Sequence, residues 1–153
     1  MYRNFFRSNK RSCLLLLVTV AVLLAATGCS VTLISAYDEQ IDHSATTLQK
    51  EMDTFLTSIE TAPDSVSGSY EHNRGFYSGY GVELRGLLVR AQSHDKNELS
   101  TKQIELMADN LEELRKSHAS GPLTPEAVGV YRNLFNQGWG AILKLELAKK
   151  RVL

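Results

Sequence analysis

Ile41-Asp-His-Ser-Ala-Thr-Thr-Leu-Gln-Lys-Glu-Met-Asp-Thr-Phe-Leu-Thr-Ser-Ile59 decides the fold. Its apolar residues Ile41, Ala45, Leu48, Met52, Phe55 and Ile59 recur every third or fourth position. That interval gathers side chains on one face of an α-helix. Ile34 and Tyr37 continue the interval upstream, so the first helix is expected over Thr32 to Glu60, about eight turns. Asp38, Glu39, Asp42, Gln49, Lys50, Glu51 and Asp53 fall on the other faces and read as a solvated surface.

Downstream, Thr61 to Gly75 concentrates Pro63, Asp64, Ser65, Ser67, Gly68 and Ser69, turn formers that end this helix. A second helix is expected to run to about Ser93, with Tyr77, Tyr80, Leu84, Leu87, Leu88 and Ala91 at helical spacing. Its start has two readings, because Gly75, Gly79, Gly81 and Gly86 each cost a helix interior about 1 kcal/mol relative to alanine. Either packing offsets that cost, or the helix begins only near Val82.

After a polar loop, His94 to Glu98, the third helix is expected from Ser100, with a hydroxyl cap facing Gln103 and Leu99 stapled to Ile104. Ile104, Met107, Leu111 and Leu114 form its apolar row, and Ser117 to Leu123 closes it. Thr124-Pro125-Glu126 is a helix start: a capping hydroxyl, a proline at the first helical position and an acid at the positive end of the dipole. The fourth helix then carries Val128, Tyr131, Leu134, Phe135, Trp139, Ile142, Leu145 and Ala148. Four helices with short connectors, and no strand pattern, predict an all-α fold, an antiparallel up-down four-helix bundle over residues 32–153.

Upstream of the bundle, Arg3, Arg7, Lys10 and Arg11 precede the apolar run Leu14 to Thr27, with no acidic residue in the first 28. A basic flank followed by a short apolar run is the order of a secretory signal. The run holds 14 residues, short of the roughly 20 that span a bilayer core, which leaves an uncleaved anchor as the weaker alternative. Leu23-Leu-Ala-Ala-Thr-Gly-Cys-Ser30 ends it with Ala26, Thr27 and Gly28 directly before Cys29. This stretch resembles the lipobox of bacterial lipoproteins, with Ala26 where that family most often has leucine.

The resemblance implies a signal peptide over 1–28, cleavage between Gly28 and Cys29, and covalent lipid on Cys29. Residues 29–31 are then a lipidated terminus with a short linker. Ser30 is not the aspartate that in many such lipoproteins marks inner-membrane retention, so the implied address is the inner leaflet of the outer membrane, facing the periplasm. Several acyl chains anchor stably where one binds only marginally. With Cys13 in the signal and Cys29 acylated, no thiol remains for a disulfide.

Four of the 17 basic residues lie in the first 28, leaving 13 against 17 acidic ones. A charge of about −4 argues against nucleic acid as a partner. The chain lacks the paired Glu-x-x-His motifs of a di-metal bundle, the Cys-x-x-Cys-His of covalent haem and a Gly-x-Ser-x-Gly nucleophile elbow. His43 lies four residues after Glu39, while His72, His94 and His118 fall in or beside expected loops and read as surface residues. No cofactor beyond the lipid, no metal ligand and no enzymatic activity are therefore expected.

Two clusters remain as candidate contacts. Tyr70, Arg74 and Phe76 lie beside the glycine-rich stretch and combine residue types that dominate interfaces, while Tyr77 and Tyr80 read as core. Lys149, Lys150 and Arg151 either complement the last helix's dipole or meet lipid headgroups. Leu99-Ser-Thr-Lys-Gln103 and Leu123-Thr-Pro-Glu-Ala127 resemble degenerate Leu-Thr-x-x-Gln motifs of small helical periplasmic stress chaperones. The leading expectation is a membrane-anchored, non-catalytic bundle that binds or supports another envelope protein. A periplasmic chaperone or envelope-stress sensor, and a small apolar-ligand carrier, are the alternatives.

Overall fold

The computed structural model describes residues 34–151. Cys29, the Gly28–Cys29 junction and the rest of the signal and linker segments lie outside the described residues. Four α-helices follow one another: α1 Glu39–Thr61, α2 Tyr70–Gln92, α3 Glu98–Ser120 and α4 Pro125–Lys150. Among the described residues there is no strand, and no helix is long and apolar enough to cross a membrane.

The helices form a ring in chain order, α1 against α2, α2 against α3, α3 against α4, and α4 back against α1. The α1–α2 seam is the sparsest of the four. Connectors 62–69 and 121–124 lie at one end, which holds His118. Residues 34–38, the loop 93–97 and the last turn of α4 lie at the other, which holds Asp38.

The apolar rows meet in one core. Ile41, Ala45, Met52 and Ile59 of α1 are buried against Leu84 and Ala91 of α2, Ile104, Met107 and Leu114 of α3, and Val128, Phe135, Trp139 and Ile142 of α4. Polar groups inside are matched in series: Trp139 Nε1 donates to Tyr80 Oη at 3.1 Å, and the Tyr80 hydroxyl donates to the Leu48 carbonyl at 3.1 Å. Gly138 lets α3 and α4 approach, since a Cβ there would lie 2.2 Å from Met107 Sδ.

Helix starts follow capping chemistry. Asp38 Oδ1 accepts from the N–H groups of Gln40 and Ile41, so α1 begins at Glu39 rather than Thr32, and Ile34 and Tyr37 lie before the helix. Asp38 itself is buried, not part of a solvated face. Ser69 caps α2, which runs unbroken through its glycines from Tyr70. Thr124 caps α4 by accepting from Ala127, with Pro125 in the first turn as expected.

The start of α3 departs from the expectation. The helix begins at Glu98, Ser100 is buried inside its first turn, and Leu99 is 65% exposed and staples nothing. The core row of α4 also differs at its end: Glu146 and Lys149 are buried, while Leu134 and Ala148 face solvent and Leu145 is only half-buried.

Candidate functional site

The chain enters the bundle through a polar clasp at the Asp38 end. The Ser35 N–H donates to the Lys96 carbonyl at 3.0 Å, and the Ser35 hydroxyl donates to Asn97 Oδ1 at 3.0 Å. The Asp38 N–H donates to Glu146 Oε2 at 3.3 Å. Lys149 completes the group, donating to Glu146 Oε1, Asn97 Oδ1 at 2.6 Å and Ser100 Oγ at 2.9 Å. Ser100 in turn donates to Glu146 Oε1 at 3.1 Å, and Asn97 Nδ2 donates to the Ala91 carbonyl at 2.9 Å. Every proton of the ammonium has an acceptor, which is what keeps a buried charge tolerable.

The outer oxygen of Asp38 meets Arg90 Nε at 2.8 Å and His94 Nε2 at 2.7 Å. Burial pushes this carboxyl's pKa up, but the Arg90 bond and the N–H groups of Ile41 and Gln40 outweigh it and hold it below its usual range. Tyr37, Asp38, His43, Arg90 and His94 border an open concavity of about 630 Å³. Asp38 and His94 make a carboxylate–imidazole pair, yet among the described residues nothing bonds to the second ring nitrogen of His94. The triad logic of nucleophilic catalysis needs a hydroxyl or thiol there.

Tyr37 donates to Asp42 Oδ2 at 2.8 Å, and that bond chiefly pushes its hydroxyl up to about 12. Lys150 Nζ stands 4.9 Å from the centre of the Tyr37 ring, and Arg151 is exposed. The basic triplet is therefore split: Lys149 is turned inward to Glu146 and is no membrane contact, while Lys150 and Arg151 stay outside.

At the opposite end His118 is buried, correcting its reading as a surface residue. Its Nε2 lies 2.8 Å from the Gly68 carbonyl and its Nδ1 2.8 Å from the Tyr77 hydroxyl. A carbonyl only accepts, so Nε2 carries the proton and Nδ1 accepts from Tyr77. The imidazole thus ties connector 62–69 to α2 and α3, and burial pushes the Tyr77 pKa up. Among the described residues no three His, Cys, Asp or Glu side chains gather as a metal-binding group.

The trio Tyr70, Arg74 and Phe76 is also divided. Phe76 stacks on Phe55 across the α1–α2 seam, centroids 3.8 Å apart at 12°. Tyr70 and Arg74 line a different groove, of about 510 Å³, between α2 and α3. Leu84, Leu88, Ala108 and Leu111 supply its apolar lining, and Arg74, Arg85 and Arg115 its cations. Arg115 is held bidentate by Glu112, both bonds 2.7 Å, and donates to Tyr70 Oη at 3.1 Å. Arg74 pairs with Glu71 at 3.0 Å. Among the described residues Arg85 has no ion-pair partner. Its Nη1 lies 3.4 Å from where a Gly81 Cβ would stand.

Beside this groove, the outward face of α2 presents Gly75, Gly79, Val82, Gly86 and Val89, all exposed. No atom lies within 4 Å of where a Cβ would stand on any of these three glycines.

The two Leu-Thr-x-x-Gln-like segments do not play equivalent parts, for Leu123 is buried ahead of a capped helix and Leu99 is exposed within one. The chain matches no protein-family model, no curated protein and no solved structure.

Proposed function

We propose that this chain is a lipid-anchored lipoprotein of the cell envelope whose non-catalytic helical bundle binds another envelope protein. The anchor is Cys29, acylated after cleavage behind Gly28, and the address is the inner leaflet of the outer membrane, facing the periplasm. The basic flank, short apolar run and small residues before Cys29 support that part of the reading.

The observation that carries partner binding is the outward face of α2. Three exposed glycines there forgo roughly 3 kcal/mol of helix propensity relative to alanine, and nothing in the bundle requires them. A smooth, uncharged ridge admits another backbone at close range. Only residues 30–34 separate Cys29 from Ser35, where the bundle's polar clasp begins, which supports a short linker rather than a long tether. Lys150 and Arg151, at that same end, then meet anionic headgroups, each contributing about 1 kcal/mol and screened by salt.

Two measurements test the reading. Cys29→Ser is expected to abolish acylation and release the protein from the membrane fraction; unchanged retention would sink the anchor. A photocrosslinking residue at Val89 is expected to capture an envelope protein in intact cells, whereas one at exposed Asp109 is not. Equal capture at the two positions, or none, counts against the α2 face.

A further inference from the structure

The groove between α2 and α3 has a lining whose charge opposes the rest of the domain. The segment downstream of residue 28 has 13 basic and 17 acidic residues, yet this groove gathers Arg74, Arg85 and Arg115 around the single carboxylate of Glu112. Glu112 is committed to Arg115, and Arg74 has Glu71 beside it. Of these three arginines only Arg85 has no ion pair among the described residues, and its Nη1 lies near Gly81.

From this arrangement we infer that the groove receives an acidic amphipathic helix of the partner protein. The inference rests on the partner-binding reading and names the chemistry of the bound segment. Apolar side chains of that helix lie on exposed Val82 and half-buried Leu88 and Ala108, with buried Leu84 and Leu111 forming the floor beneath. Its carboxylates meet Arg85 and Arg74, with guanidinium–carboxylate geometry that favours paired hydrogen bonds.

Length favours a helix over a small ligand. Arg74 and Arg85 are 11 residues apart on α2, about 16 Å along its axis, and both line the same groove. A helix lying alongside α2 presents carboxylates to both when its own acidic residues are about three turns apart. Helix-in-groove recognition reads apolar anchors at intervals of three, four and seven, and Val82, Leu88 and Ala108 offer the accessible apolar surface for them.

The test uses the full-length chain in the native envelope, with a photocrosslinking residue at exposed Ser78 on the groove wall. The captured segment, mapped by mass spectrometry, is expected to be an amphipathic helix with acidic residues about three turns apart. Arg85→Glu is expected to cut capture at least about tenfold through like-charge repulsion, while Arg85→Lys retains most of it. Because Arg85 has no ion pair among the described residues, Arg85→Glu should leave the thermal midpoint unchanged. Undiminished capture with Arg85→Glu, a captured lipid, or a captured segment without acidic residues would overturn the inference. A second crosslinker at Val89 separates the two failures. Capture at Val89 that ignores Arg85→Glu leaves the partner reading standing and removes the groove, and capture at neither position removes both.

Discussion

Glu146 and Lys149, three residues apart on α4, form an ion pair whose side chains are 0% and 6% exposed, with Nζ 2.5 Å from Oε1. Lys149→Met strips the carboxylate of its counter-ion, and breaking a buried pair from one side typically costs about 3–5 kcal/mol. Urea unfolding of Lys149→Met should show a loss of that size. Glu146→Leu with Lys149→Met should recover part of it, since no isolated charge then remains. A single variant within 1 kcal/mol of the parent, by the same measure, would mean that the pair is not buried in solution.

Glycine substitutions are expected to split by sign. A methyl at Gly138 would stand 2.2 Å from Met107 Sδ, so Gly138→Ala overpacks the α3–α4 contact at about 1–3 kcal/mol, more than the helix propensity it gains. Gly79→Ala meets nothing within 4 Å and should stabilise by up to about 1 kcal/mol. Thermal midpoints should move down for the first and up for the second.

Asp38 sets an acid-side limit on stability. Its pKa in the fold lies below the unfolded value, so the stabilisation is fully present above that unfolded value and is lost as pH falls through the folded one. Chemical unfolding at pH 6 and pH 3, run on the parent and on Asp38→Asn, measures this. The parent should lose more stability between the two pH values than the variant, and equal losses would assign the acid sensitivity elsewhere.

The His118 tautomer is directly observable. Nitrogen-15 NMR should show the proton on Nε2, facing the Gly68 carbonyl, with Nδ1 unprotonated. Tyr77→Phe removes the donor to Nδ1 and leaves a buried acceptor unmet, at about 1–3 kcal/mol. A proton on Nδ1 at neutral pH would contradict the geometry.

The rows of α1 and the capped start of α4 are legible in sequence because local periodicity and capping chemistry agree with the tertiary fold. Where they part, distant polar partners decide. Ser100 with Gln103 has the spacing of a cap and its partner, yet Glu146 and Lys149 draw the hydroxyl inside and α3 starts at Glu98. Ile34 and Tyr37 keep the helical interval, but Ser35 is tied to Lys96 and Asn97, and Asp38 takes the first N–H groups. The signal for Glu146 and Lys149 was present in the intervals from Phe135 through Trp139 and Ile142, which continue onto them, although composition argued for solvent.

The candidate contact region was legible as composition and not as a surface. Arg74 and Phe76 are two positions apart, a turn of about 200° on a helix, so they serve different grooves. Arg85 carries no signal in the sequence because a lone arginine has no pattern; its meaning comes from α3 alongside.

The ring closes between its first and last members. In a chain that emerges amino-terminus first, α2 finds α3 as soon as both exist, whereas α1 meets only the sparse seam with α2 until α4 arrives. Its row from Ile41 to Ile59 must wait for Phe135, Trp139 and Ile142, and closure across so long a separation is the slow step of such a topology. The same helix, α4, completes both the burial of α1 and the clasp at Asp38, through Phe135, Trp139 and Ile142 for the first and Glu146 for the second.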